Sequence, residues 1–187
     1  MKLLSLLSVA VVTAPPSPTK PPYITAEELT SRADFIGIVH VDSVYVATFG
    51  LMMARASVID QYAGRQRPSL ELVISPLTQE SDHAPTKGQT LLLFSDHLNK
   101  WQVEHATGLP NIPESGLNCI AHWASGQFAV KTVKLAGGGV KSVIMGNRRD
   151  SRYIFAGLTQ WPSKLSTTTI IDLPAIKDFV QQIKRKR

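Results

Sequence analysis

The sequence predicts a mainly β (α+β) domain: a small antiparallel barrel of about five to seven strands, preceded by a short helix and closed by an amphipathic one. Three observations carry this. Runs of β-branched and other apolar residues recur at short, fairly regular spacing between Phe35 and Met145. Gly, Pro and polar residues, not long helical segments, separate those runs. Helical punctuation is found at the two ends, at Thr25 and after Asp172. Strands spaced in this way pair mostly antiparallel, and such a sheet closes into a barrel or splits into a sandwich.

The first element is a helix over about Ala26 to Ala33. Thr25 followed by Glu28 forms a capping box, and Ile24 and Leu29 flank the cap as a hydrophobic staple. A helix this short needs a surface to lie on, because nucleation is costly. Asp34 ends it, and Phe35 to Val41 begins a strand. Strict alternation puts Val39, Val41, Ser43 and Tyr45 on one face, with Ile38, His40, Asp42 and Val44 on the other. Gly37 inside the run predicts a bulge or sharp coil.

Met52 to Tyr62 is the second strand, with Ala54, Ala56 and Val58 on its apolar side. Leu70 to Ile74 is the third. Gln89 to Ser95 (QTLLLFS) is the fourth, and its unbroken apolar run predicts burial on both faces. Lys100 to Glu104 reads as a short fifth strand and Thr107 to Ser115 as loop. Gly126 to Leu135 and Val140 to Met145 form a hairpin around Gly137 to Gly139, where glycine supplies positive φ. In the last helix Asp172 caps and Pro174 sits in the first turn, where a missing N–H is harmless. Ile176, Phe179, Val180 and Ile183 then recur along one face.

The chain divides into a leader (1–14), a proline-rich linker (15–24), one domain (25–183) and a basic tail (184–187). Lys2 followed by the apolar run Leu3 to Val12 and the small-residue site Val12-Thr13-Ala14 has the form of a cleaved signal peptide. The apolar run is far shorter than the roughly 20 residues a spanning helix needs, so no transmembrane helix is expected in the mature chain. Five prolines between Pro15 and Pro22 make a stiff, extended spacer. The formal charge is +6; without Lys2 and the final Lys184-Arg185-Lys186-Arg187 it falls to +1. The basic character therefore belongs mainly to the tail, which argues against a phosphate-tracking groove on the body. Cys119 is the one cysteine. The fold must hold by its core without an internal disulfide, and Cys119, beside Ile120 and Ala121, reads as a small buried hydrophobe.

The order Glu27-Glu28-Leu29, Ala33-Asp34, the Phe35–Val41 strand, Ala56-Ser57-Val58-Ile59-Asp60 and Lys87-Gly88-Gln89-Thr90-Leu91-Leu92-Leu93-Phe94 resembles a group of bacterial exported domains. Those domains have an oligonucleotide/oligosaccharide-binding (OB) type barrel, similar in outline to netrin and metalloproteinase-inhibitor modules. The resemblance covers about Thr25 to Val103 and implies architecture more than activity. It does not extend to metalloproteinase inhibition, which uses an N-terminal cysteine and several disulfides; here Cys119 stands alone.

No catalytic set, metal site or cofactor emerges. His83, His97, His105 and His122 fall in loops or at strand ends. Cys119 and His122 have ligand-like spacing, but a structural zinc needs four ligands, commonly in paired short spacings. Ser81-Asp82-His83 holds the three triad residue types consecutively, which the triad geometry does not permit. A Cys119–His pair lacks a local motif, and Gly137 to Gly139 lacks the Lys-Ser/Thr of a phosphate loop. The candidate binding residues are Trp101, His105 and Trp123, aromatic or imidazole groups able to stack on bases or sugars, against the plain alternative of core or rim packing.

The expected role is an exported, non-enzymatic binding or interaction module of the bacterial cell envelope, secreted or periplasmic, with an unidentified protein or glycan partner. The alternatives are a metal-dependent or Cys119-dependent enzyme, and single-stranded nucleic-acid binding through the barrel face. The tail could also be drawn to anionic lipid.

Overall fold

Residues 24–47, 52–74, 84–98, 117–120, 126–134, 137–146, 160–161 and 169–186 are described by a computed structural model. Thr25 starts the first helix, α1 (Ala26–Arg32), and its hydroxyl accepts from the Glu28 N–H at 3.1 Å. The Glu28 carboxylate does not turn back to complete the capping box. It pairs with Arg32 one turn on, at 2.7 Å. Ile24 and Leu29 are both buried, as a staple requires.

Among the described residues nine strands follow α1: β1 (Phe35–Val46), β2 (Met52–Ala63), β3 (Ser69–Ile74), β4 (Thr90–His97), β5 (Leu117–Ile120), β6 (Gln127–Lys134), β7 (Val140–Gly146), β8 (Gln160–Trp161) and β9 (Thr169–Asp172). A further described helix, α2 (Leu173–Arg185), follows β9. The strand order is β1-β2-β3-β5-β4, and β4 pairs back onto β1, so these five close a ring. Every seam of the ring is antiparallel except β3–β5, which is parallel. The expected barrel is therefore present, with one seam of the opposite sense. β6 leaves β4 after Ala129 and continues as a second sheet in the order β6-β7-β9-β8.

β4 shows why the fold needs two apolar layers. Leu91 and Leu93 point into the ring, with Phe35, Val39, Val41, Ala54, Ala56, Leu70, Leu72, Ile74 and Ile120. Leu92 and Phe94 point out of it, into a second core with Leu29, Ala33, Ile176 and Val180 from the helices and Phe128, Ile144 and Ile171 from the second sheet. The unbroken apolar run is thus buried on both faces, as expected. Phe94 and Phe128 meet edge to face at 6.1 Å, an arrangement that contributes on the order of 1 kcal/mol beyond area. Ile176 and Val180 are fully buried, and Phe179 packs partly against the same core.

Bulges set the curvature. Register shifts occur at Ile36/Gly37, Ile38/Val39 and Val41/Ser43. The last inserts Asp42 as an extra residue and reverses the alternation. Val44 joins Val39 and Val41 on the ring interior, while Tyr45 is exposed. Strict alternation placed Ser43 and Tyr45 with Val41, and the bulge corrects that. At Gly37 a Cβ would lie 2.6 Å from the Asp60 carbonyl oxygen and 2.9 Å from Phe35 Cζ, so the close crossing of β1 and β2 requires glycine.

Two contacts tie the ends of the chain together. Lys184 Nζ in the last turn of α2 donates to the Ala33 carbonyl at 2.8 Å, satisfying an orphan acceptor at the end of α1. Asp34 Oδ2 accepts from the His97 N–H at 2.8 Å, fixing the end of β4 to the helix–strand junction. β5 was not expected from sequence. The proposed strand at Lys100–Glu104 and the loop at Thr107–Ser115 lie outside the described residues. No described helix is long and apolar enough to cross a membrane.

Candidate functional site: a cleft between the barrel and the second sheet

Because β6 pairs with β4 only through Leu91–Leu93 and Gln127–Ala129, the second sheet parts from the barrel wall beyond Thr90 and Val130. The helices pack into the interlayer core. Beside the first turns of α2 a cleft of about 520 Å³ opens. Its volume falls within the ordinary range for small-ligand sites, about 300–1,000 Å³. Ile38, Val130 and Leu173 give it an apolar floor continuous with the interlayer core. Ile59 stands on its rim, 60% exposed. A shift in register at Ile38/Val39 leaves Ile59 without its own partner on β1, which is how a large apolar residue comes to face the opening.

The polar groups come from five elements. Asp60 on β2 and Lys177 on α2 form an ion pair with both carboxylate oxygens 2.9 Å from Nζ. The same ammonium lies 5.3 Å above the ring centre of Tyr62, within reach of a cation–π interaction. Burial, and then the nearby Asp60 and Asp172 carboxylates, raises the Tyr62 phenol well above its ordinary range. That phenol therefore stays neutral. Thr132 and Ser142 are exposed and lie directly opposite each other on β6 and β7, so their hydroxyls enter the cleft as a pair. Thr90 adds a third hydroxyl, 3.5 Å from His40 Nδ1.

Asp172 caps α2 without a side-chain hydrogen bond to the helix. Its Oδ2 instead pairs with Lys141 on β7, and its Oδ1 is buried without a partner. The expected helix start is correct, but the capping carboxylate is directed to the second sheet.

A second polar cluster crosses the outer face of the barrel. Glu71 on β3 accepts from Tyr45 at 2.6 Å and from Arg55 Nε at 2.7 Å. Partial burial and the Glu71 contact push the Tyr45 phenol up to about 12. These groups satisfy one another across three strands, as cross-strand pairs do.

Trp101, His105 and Trp123 lie outside the described residues, as do His83 and His122. His97 is the last residue of β4, with a buried Nδ1 that has no partner. Cys119 lies in β5, half-buried against Met53, Val73, Leu98 and Leu117. Burial, then the charge of Asp96, pushes its thiol up to about 11. The environment is the reverse of one that activates a thiolate. Among the described residues no group of three or more His, Cys, Asp or Glu is arranged to hold a metal ion.

Sequence reasoning did not find the cleft. Its residues come from β1, β2, β4, β6, β7 and α2, and the one available signal was an isolated apolar residue, Ile59, on the mixed side of β2. No protein-family model, curated protein or solved structure matches this chain.

Proposed function

We propose that this protein is an exported, non-enzymatic binding module of a bacterial cell envelope, and that it engages its partner at the cleft. The observation that carries the reading is the cleft itself: an apolar floor, a ring of hydrogen-bonding groups and a charged pair already engaged with itself. Such a lining suits recognition. The raised Cys119 thiol weighs against Cys119 as a nucleophile. The ring order, with its parallel β3–β5 seam, supports an OB-type barrel, a scaffold that commonly binds extended ligands. The signal-like leader supports export.

The test is expression of the full chain in a bacterium, followed by fractionation and affinity capture from envelope extracts. Wild type should be recovered outside the cytosol with a reproducible partner. Thr132→Trp, which fills the cleft from an exposed position, should lose that partner while remaining folded. Retention of the full leader in a cytosolic pool, or capture unaffected by Thr132→Trp, would overturn the reading.

A further inference from the structure

The geometry points to the cleft as a saccharide subsite, one that takes an uncharged sugar. This rests on the reading of the protein as a binding module and names the chemistry of its ligand.

Charge excludes the first class of alternatives. Both oxygens of Asp60 lie 2.9 Å from Lys177 Nζ, so neither member is left to recruit an ion. At the opening turn of α2 the Asp172 side chain makes no hydrogen bond to the helix and pairs with Lys141 on β7, so it adds no net charge to recruit an ion. An anionic ligand would have to displace Asp60 from Lys177, and a cationic one would have to displace Lys177 from Asp60. The lining therefore favours a ligand without net charge.

Polarity excludes a purely apolar ligand. The Thr132–Ser142 hydroxyl pair, the Thr90 hydroxyl and the Asp60–Lys177 pair all open into the space. An alkyl chain would cover them without replacing their bonds to water, which is costly for each group. A hydroxyl donates and accepts, so three of them fit a ligand that also does both.

The floor then selects among neutral polar ligands. Ile38, Val130 and Leu173 are aliphatic, and Ile59 extends that surface to the rim. The Tyr62 ring is covered by Lys177, so apolar contact is made with aliphatic side chains instead of a stacking ring. A pyranose offers an apolar C–H face and a rim of hydroxyls that donate and accept. It can lay the first on the floor and direct the second to Thr132, Ser142 and the outward lone pairs of Asp60.

The experiment is isothermal titration of the full chain, purified after export, with cellotriose, maltotriose and chitotriose. Trigalacturonate and an alkyl glycol serve as charged and apolar comparisons. At least one neutral trisaccharide should bind saturably, and both comparisons should bind more weakly. The double variant Thr132→Val/Ser142→Ala, which removes two exposed hydroxyls and leaves the floor intact, should weaken that binding by roughly tenfold or more. Its thermal unfolding should match wild type. Absence of saturable heat with all three neutral sugars at millimolar concentration would overturn the inference, as would unchanged affinity in the double variant. If envelope capture then returned an unglycosylated protein through the same cleft, the binding-module reading would stand and the saccharide assignment alone would fall.

Discussion

Lys177, in the second turn of α2, holds both carboxylate oxygens of Asp60 on β2 at 2.9 Å, across 117 positions of sequence. The pair joins α2 to the barrel wall at the cleft. Both side chains are more than a third exposed, so the contribution to stability is small, about 0.2–1 kcal/mol by the usual measure of exposed pairs. Lys177→Met and Asp60→Asn should each lower urea stability by no more than about 1 kcal/mol, and a double-mutant cycle should return a coupling in the same range. A coupling near zero would show that the contact does not hold α2 in place.

Gly37 and Gly88 separate two reasons for glycine. Gly37 has no room: a Cβ there meets the Asp60 carbonyl oxygen at 2.6 Å. Gly88 has room but adopts φ +85°. Gly37→Ala should cost about 2–3 kcal/mol through overpacking against backbone, and Gly88→Ala about 1–2 kcal/mol through its left-handed conformation. Chemical denaturation of the two variants orders the costs, and a larger loss at Gly88 would contradict the packing described for β1 and β2.

Leu93→Ala and Leu92→Ala probe the two cores from adjacent residues. Each side chain is fully buried, and each substitution should cost about 2–5 kcal/mol. Only Leu92→Ala opens space under α2. It should raise amide exchange along α2 more than Leu93→Ala does at matched global stability.

The Asp96 carboxyl lies above its ordinary pKa, chiefly because burial disfavours its charge and then because Asp34 is near. A carboxyl raised on folding binds its proton more tightly in the native state. Its favourable contribution is fully present below the ordinary carboxylate pKa and is lost as pH rises through the folded value. Asp96→Asn should therefore stabilise the protein at neutral pH, and the gain should vanish in acid. Denaturation midpoints measured from acid to neutral pH check this; a gain that grew toward acid would reverse the sign.

Cys119 provides a kinetic check. With its thiol pushed up from an ordinary 9.0 to about 11, the thiolate fraction at neutral pH falls by on the order of a hundredfold. Reaction with a disulfide reagent should be slowed by about that factor in the folded chain and restored in denaturant. Rapid reaction of the native protein would place Cys119 in a different environment.

Local signals in the sequence announced the elements whose character is local. Thr25 capping α1, Pro174 opening α2 and the two-sided run Leu91 to Phe94 need no distant information. What escaped depends on partners. Asp42 reverses the faces of β1 only because β2 supplies one residue fewer there. β5 is four residues long and carries a buried Asn118 whose amide oxygen accepts from Arg67, so neither length nor alternation marks it. The cleft is a property of how far the second sheet departs from the barrel, and Thr132, Ser142 and Lys177 have nothing in common until the chain is folded.

Ring closure through β1 and β4 carries a mechanical corollary. A sheet with two free margins can unzip from either side, strand by strand, whereas a closed cylinder must break a seam before any member departs. Amide protection should therefore be nearly uniform around the five strands of the ring, with loss occurring in one concerted event, while the short β8 and β9 exchange first.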